Sequence, residues 1–126
     1  NGGAAQADKK SLANEFTRTL INNNLNEAWA RFNSIKADTA HFYLDEREMN
    51  IAGIGMFFNN YKTAAMEVLR LNTVLFPGSA NVYDSLAMVL ADSGDKKNAI
   101  LMYRKALELN PNLSSAIIAM KNLSSE

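Results

Sequence analysis

Cysteine is absent from this sequence of 126 residues. The chain therefore has no disulfide, no thiol nucleophile and no cysteine-ligated zinc or iron–sulfur site. An excess of charge of one sign is also absent, because 13 lysine and arginine residues balance 13 aspartate and glutamate residues. Such a balance argues against a basic nucleic-acid surface and against electrostatic binding to a membrane. No apolar run approaches the roughly 18–20 residues of a transmembrane helix. We expect neither nucleic acid nor membrane as a partner.

Side chains that could perform chemistry are few and scattered. His41 is the only histidine, and no H-x-x-x-H or H-x-E spacing is present to form a zinc site. None of the serines lies in the G-x-S-x-G turn of a hydrolase. Asp45, Glu46 and Glu48 are better explained as carboxylates at a helix N-terminus, where they interact favourably with the helix dipole. We expect no catalytic residue, no cofactor and no metal, and hence no enzyme.

The first ten residues, NGGAAQADKK, are small and polar, which is typical of unstructured termini. Residues 1–8 are predicted to be a disordered leader or a cloning remnant. Ala5-Gln6-Ala7 has the small-x-small pattern of a signal-peptide cleavage site, but the apolar region that precedes such a site is missing. An exported protein and a linker stub both remain open.

Turn and cap residues recur at short intervals and divide the rest of the chain into helices. Between them almost every segment has apolar residues at i, i+3 and i+4, and none alternates with the period of two of a strand. Asp45 with Glu48 three residues later predicts a reciprocal N-cap, and Ser79 and Asp95 are suited to begin the fifth and sixth helices. The expected helices are residues 9–22, 26–37, 46–59, 62–75, 80–93, 96–109 and 113–124.

A period of 34 residues relates the middle of the chain to its C-terminal part. The matching pairs are Met49 and Tyr83, Ala52 and Leu86, Gly53 and Ala87, Met56 and Leu90, Ala65 and Ala99, Leu69 and Tyr103, and Pro77 and Pro111. A helix–turn–helix unit of this length is the mark of a stacked repeat. Ala87 and Ala99 should let two antiparallel helices approach closely, while Tyr103 fills the flanking volume. Ala106 should admit the next helix, and Pro111 cannot continue its own.

The period defines three predicted units within a single repeat domain, residues 9–126. Residues 46–79 and 80–113 are two copies. A degenerate third copy occupies about residues 9–42, where Ala28 and Phe32 match the alanine and the aromatic residue of the later units.

The last helix, residues 113–124, is expected to cap the array. Its apolar stripe, which should face the preceding helices, consists of Leu113, Ala116, Ile117, Met120 and Leu123. The residues expected on the opposite, water-facing side are Ser114, Ser115, Lys121 and Asn122. A polar outer face of this kind is what the terminal unit of a stacked array requires.

The run from Tyr83 through Leu86-Ala87 and Ala99 to Pro111 resembles the tetratricopeptide repeat, with alanine in place of the usual glycine. The resemblance implies an all-α fold, a TPR-like right-handed superhelix of antiparallel helix pairs. Three pairs and a C-terminal capping helix are expected here. It also implies a protein or peptide as partner.

A longer stretch, about residues 12–123, is similar to the tetratricopeptide module at the C-terminus of many bacterial serine hydrolases. These are β-lactamase-like and α/β-hydrolase proteins, commonly exported, so a periplasmic or exported location is favoured over a cytoplasmic one. The runs that carry the similarity include Glu48-Met49-Asn50, Leu71-Asn72, FPGSANVYDSL and Gly94-Asp95. The chain departs from that module in GIGMFF, where Tyr-x-Leu-Leu is usual. The hydrolase domain itself has no counterpart in this sequence.

In tetratricopeptide arrays the first helix of each pair lines the concave surface. The residues that this architecture places there, and that we expect to bind protein, are Asn50, Ile54, Phe57, Asn81, Asp84 and Met88. Helix 46–59 is apolar nearly all round, so its Phe57-Phe58 side is either buried under the upstream helices or open to a partner. Both alternatives remain open.

Two functions follow from these patterns. The first is a non-catalytic interaction or scaffold module that binds a peptide segment or a neighbouring domain on its concave face. The alternative is an accessory module that positions or stabilises an attached hydrolase domain.

Overall fold

The computed structural model describes residues 9–22 and 24–125, and this part of the chain is mostly helical. Its seven helices are α1 Leu12–Asn22, α2 Leu25–Ile35, α3 Glu46–Phe58, α4 Lys62–Leu75, α5 Ala80–Asp92, α6 Lys96–Leu109 and α7 Ser114–Ser124. Two strands of two residues each, β1 Lys10–Ser11 and β2 Phe42–Tyr43, pair in parallel. The predicted all-α class is confirmed. The predicted leader, residues 1–8, lies outside the described residues.

The chain divides into two compact units, one up to Ala52 and one from Gly53, and the boundary falls within α3. In the first unit, α1 packs against α2. The ring of Phe16 lies 4.6 Å from that of Trp29 and 5.9 Å from that of Phe32, measured between centroids. Such tilted and edge-on aromatic contacts bury large apolar areas and stabilise the helix pair.

A carboxylate also joins α1 to α2. Glu15 is 8% exposed. The Arg18 guanidinium, one turn along α1, donates to both of its oxygens at 2.7 and 2.8 Å, and Arg31 of α2 donates at 3.4 Å. The Arg18 hydrogen bonds are the largest cause that holds the pKa of Glu15 below its usual range. Pairing of this kind is what permits a carboxylate to be buried.

The first helix begins later than the sequence predicts. We expected it from residue 9, but α1 starts at Leu12 because Lys10 and Ser11 pair with Phe42 and Tyr43. The Lys10 backbone N–H donates to the carbonyl of His41 at 2.8 Å. A strand of two residues is too short to show an alternating pattern, so its sequence carries no periodic signal.

In the second unit, α5 and α6 pack along each other through small side chains. Ala87, Ala99 and Ala106 are fully buried and Tyr103 is 5% exposed, as the repeat spacing predicts. Helices α3 and α4 meet in the same way. A Cβ atom placed on Gly53 would lie only 2.6 Å from Cδ2 of Leu69, so the glycine permits an approach that alanine would obstruct.

Two of the three predicted caps form differently. The Asp95 carboxylate accepts from the backbone N–H three residues later at 3.2 Å, as predicted. Asp45 likewise accepts from the Glu48 N–H at 3.2 Å. Glu48 does not reciprocate in a capping box, because its carboxylate accepts from the Tyr43 hydroxyl at 3.3 Å. Ser79 stands at the N-cap of α5 but makes no side-chain capping hydrogen bond.

The turns that end α3 and α5 share one backbone feature. Asn60 has a φ of 70° and Gly94 a φ of 90°, and the two residues are 34 apart in the sequence. Both lie in the left-handed region that glycine adopts freely and that asparagine tolerates better than most residues. Each turn then reverses the chain direction into the following helix.

Candidate functional site

The site residues predicted on α3 do not form an open surface. Asn50 is 8% exposed and Phe57 is 6% exposed, while Ile54 is partly buried. The expectation that Asn50 and Phe57 face water is therefore corrected. The cause is the composition of α3, which is apolar on nearly all sides and so buries more than one face. Asn50 also belongs to the first unit, whereas Ile54 and Phe57 belong to the second.

The aromatic pair at the end of α3 is divided between interior and surface. Phe57 is buried, whereas Phe58 is 65% exposed, and their ring centroids are 5.4 Å apart. The Lys62 ammonium lies 5.6 Å from the centre of the Phe57 ring, a distance at which a cation is attracted to an aromatic face. Of the two alternatives, burial applies to Phe57 and exposure to Phe58.

The three residues predicted on α5 share one side of that helix. Asn81, Asp84 and Met88 recur at intervals of three and four residues, which the helical period places in one row. Asn81 is exposed, and Asp84 and Met88 are partly buried. The opposite side of α5 carries Leu86 and Leu90, which are 4% and 3% exposed.

Helix α7 extends this row. The Ser115 hydroxyl donates to Oδ2 of Asp84 at 2.8 Å, and one turn further along α7 the side chain of Ile118 is 59% exposed. Residues three apart on a helix are neighbours on its surface, so Ile118 lies beside the serine. We call Asn81, Asp84, Met88, Ser115 and Ile118 the α5–α7 face.

The negative charge of this face comes from Asp84. Partial burial raises the pKa of its carboxyl group, and the hydrogen bond from Ser115 opposes part of that rise. Asp84 and Asp92 are the only charged residues of α5. Burial raises the pKa of Tyr103 to about 12, with contributions from both carboxylates. An anionic helix with few competing cations suits a ligand that carries a positive group.

Ser115 and Ile118 are the site residues that the sequence analysis missed. The apolar stripe placed Ser115 on the water-facing side of the cap, yet it faces α5. The outer side is also less polar than expected, because Ile118 is well exposed and Ile117 is 36% exposed. The signal that finds them is the repeat period. Ser115 follows Asn81 by 34 residues, and Ile118 follows Asp84 by the same number.

The α5–α7 face can hold a ligand by hydrogen bonds, one ionic contact and apolar contacts. No group of three or more His, Cys, Asp or Glu in residues 9–22 and 24–125 is arranged to hold a metal ion. Nδ1 of His41 lies 3.0 Å from Asp38 three residues earlier, in an exposed turn. Nor does any helix within those ranges have the length and apolar character to span a membrane.

Comparison with known proteins supports one part of the family resemblance. Residues 80–113 match the family model of the tetratricopeptide repeat. The BBSome complex member bbs-4 of Caenorhabditis elegans is 34% identical over 58 residues, which are 46% of this chain and 13% of that protein. The match thus covers a small fraction of the relative's length. Neither comparison connects the chain to a serine hydrolase, so that part of the resemblance stays a prediction.

The family match and the structure agree on the same segment. Residues 80–113 contain α5, the turn at Gly94 and α6, and their buried residues are those that the repeat spacing predicts. This segment is a tetratricopeptide repeat, within an all-α fold of the helical-repeat type.

Proposed function

We propose that the chain is a non-catalytic module that binds a segment of another protein on the α5–α7 face. The observation that carries this proposal is Ile118, an isoleucine 59% exposed one turn from the hydrogen bond between Ser115 and Asp84. A large apolar side chain beside a partly buried carboxylate offers both contact area and a charge for recognition.

The comparisons favour a role in assembly. Tetratricopeptide repeats generally mediate contacts between proteins, and residues 80–113 match that family. The relative in Caenorhabditis elegans is named as a member of a complex. A scaffold that holds other proteins together is consistent with both observations.

The chemistry of the face defines the segment that it would bind. Asp84 suits a lysine or arginine side chain, and Met88 and Ile118 suit an aliphatic one. The exposed amide of Asn81 can donate to a peptide carbonyl and accept from a peptide N–H. We therefore infer a ligand segment in which a cationic residue lies close to an aliphatic residue.

Selection from a library of random dodecapeptides displayed on phage tests this proposal. The protein should enrich peptides that combine lysine or arginine with leucine, isoleucine or methionine. For a labelled peptide from that population, Asp84→Lys should weaken binding at least about tenfold, because it replaces attraction by repulsion. Ile118→Asp should weaken it as well. Fluorescence anisotropy measures both affinities.

Glu67→Lys is the matched control, since it makes the same charge change on α4 at an exposed position. It should change the affinity by less than about threefold. Equal losses for Asp84→Lys and Glu67→Lys would show that only the total charge matters. That result, or a selection without cationic and aliphatic peptides, would contradict the proposal, provided that the wild-type protein melts cooperatively.

A further inference from the structure

The second unit contains a cleft between α4 and α6 whose floor is α5. Its volume is about 390 Å³, and its lining consists of Arg70 and Thr73 from α4, Leu86 and Leu90 from α5, and Asn98 and Met102 from α6. The two leucines are almost fully buried and form an apolar floor. Arg70 and Asn98 are exposed and form a polar rim. We call it the α4–α6 cleft. Its volume is near the lower end of pockets that bind ligands.

The helices that border this cleft are basic. They carry six exposed cations and two anions, namely Lys62, Arg70, Lys96, Lys97, Arg104 and Lys105 against Glu67 and Glu108. Helix α5, in contrast, carries only two aspartates. Although the chain has no net charge, the surfaces of its second unit differ in sign. At the rim, hydrogen bonds from Asn98 are the largest cause of the lowered pKa of Asp95, and the charges of Arg70 and Lys97 lower it further.

We propose that the α4–α6 cleft is a second docking site, which binds an acidic amphipathic segment of a partner protein. An aliphatic side chain of that segment lies on Leu86 and Leu90. A neighbouring carboxylate pairs with the guanidinium of Arg70, which can donate two parallel hydrogen bonds to it. The side-chain amide of Asn98 donates to Asp95 at 2.8 Å, so its own oxygen remains able to accept from a peptide N–H.

The form of the cleft favours a peptide over other polyanions. A recessed apolar floor accommodates one side chain, whereas a lipid surface or a nucleic acid needs an extended cationic area. The lining contains no aromatic ring on which a base could stack. The neutral total charge supplies no long-range attraction for a polyanion. Local charge together with a small apolar recess is the combination that an acidic amphipathic peptide matches.

This site is separate from the α5–α7 face. Leu86 and Leu90 lie on the side of α5 opposite to Asp84 and Met88, because two residues along a helix turn by about half a circle. The two surfaces also select ligands of opposite charge. A failure at one of them can therefore be distinguished from a failure at the other.

The same phage library tests the cleft, because a second population of peptides is expected. Its members should combine aspartate or glutamate with leucine, isoleucine, methionine or phenylalanine. For a labelled peptide of this population, Arg70→Glu should weaken binding at least about tenfold through loss of a charge-assisted pair. Thr73→Phe, which fills the cleft, should abolish binding. Asp84→Lys, on the other face, should leave the affinity within about threefold of that of the wild type.

Arg104→Glu is the matched control, because it makes the same charge reversal on α6 outside the lining of the cleft. If it weakens the peptide as much as Arg70→Glu does, the peptide is held by general charge and the proposal is wrong. Retained binding by Thr73→Phe, or a selection without acidic peptides, also overturns it. Should Arg70→Glu lower the melting temperature, Arg70→Gln replaces it and must still weaken binding. Phosphatidylserine vesicles that bind in place of any peptide, and no longer bind Thr73→Phe, would assign the cleft to a lipid and overturn the proposal.

Discussion

At Gly53 the spacing of α3 and α4 depends on a hydrogen atom where other residues have a methyl group. An added Cβ atom would lie 2.6 Å from Cδ2 and 2.7 Å from Cγ of Leu69, whose side chain is completely buried. Gly55 lies on the same helix, yet nothing is within 4 Å of the atom added there. The two glycines therefore separate the effect of close packing from the effect of helix propensity.

Gly53→Ala should lower the free energy of unfolding, because the leucine must move within a filled core at a cost of roughly 1–3 kcal/mol. The gain of about 0.5–1 kcal/mol from replacing a helical glycine offsets only part of this cost. Gly55→Ala should realise that gain alone and raise the stability. Urea unfolding followed by circular dichroism measures both variants. A Gly53→Ala protein as stable as Gly55→Ala would show that α3 and α4 are farther apart than described.

Asp84 should make the stability depend on pH. Burial raises the pKa of its carboxyl group above the usual 3.8, so the folded protein binds this proton more tightly than the unfolded chain does. Its contribution to stability is complete below the unfolded pKa and is lost as the pH rises through the folded pKa. The side chain of an Asp84→Asn variant stays neutral throughout. The melting temperature of that variant, relative to the wild type, should therefore rise between about pH 3 and about pH 7.

Ser115→Ala supplies the control for this pH effect. Without the serine hydroxyl, the opposing influence on the carboxyl group is gone, and its pKa should rise further. The pH-dependent advantage of asparagine should then be larger in the Ser115→Ala background than in the wild type. A constant difference between the aspartate and asparagine proteins at every pH would contradict the assigned burial of Asp84.

Among the elements, the turns after α3 and α5 depend on a single left-handed residue each. Gly94→Ala and Asn60→Ala should both lower the free energy of unfolding, by roughly 1–2 kcal/mol, because a side chain with a Cβ is strained at positive φ. Asn60→Gly should stay within about 0.5 kcal/mol of the wild type. Ser93→Ala, beside Gly94 but with a φ of −84°, is the control. If the Ser93→Ala and Gly94→Ala proteins melt alike, the turn does not need its left-handed residue.

How far the elements could be predicted depends on their length and on repetition. Helices α4 and α6 end where the sequence predicts, since many residues of each contribute to one periodic pattern. The buried Ala99 and Tyr103 were predictable because two units repeat the same packing requirement. The pairing of β1 with β2 was not, because two residues cannot display a period. The hydrogen bond between Tyr43 and Glu48 was also missed, because it competes with a cap that looks equally favourable in the sequence.

For the molecule as a whole, the candidate site was predicted only in part. Asn81 is exposed, and Asp84 and Met88 are partly exposed on one side of α5, but Asn50 and Phe57 are buried. A helical pattern identifies which residues share a face. It does not say whether another element covers that face, and for an all-apolar helix such as α3 the pattern has no polar side to exclude. The charge difference between α5 and its neighbouring helices was present in the sequence, but the neutral total concealed it.

Because α7 repeats α5 after 34 residues, residues 80–113 form a block that can be removed. Deletion joins Ser79 to Ser114, so α7 would follow α4 in the position of α5. The apolar residues that then correspond are Ala116 with Val82, Met120 with Leu86 and Leu123 with Val89. We expect the shortened protein to remain helical and to melt cooperatively at a lower temperature, since stacked repeats contribute stability through their nearest neighbours.

Deletion of residues 80–100 provides the comparison, because it removes α5 and cuts into α6 without preserving the interval. That protein should lose cooperative melting in circular dichroism, and equal behaviour of the two deletions would contradict the argument. In the opposite direction, a second copy of residues 80–113 inserted after Leu113 should lengthen the protein by one helix pair. The size of this molecule is thus adjustable in whole units, with every new junction identical to one that the chain already contains.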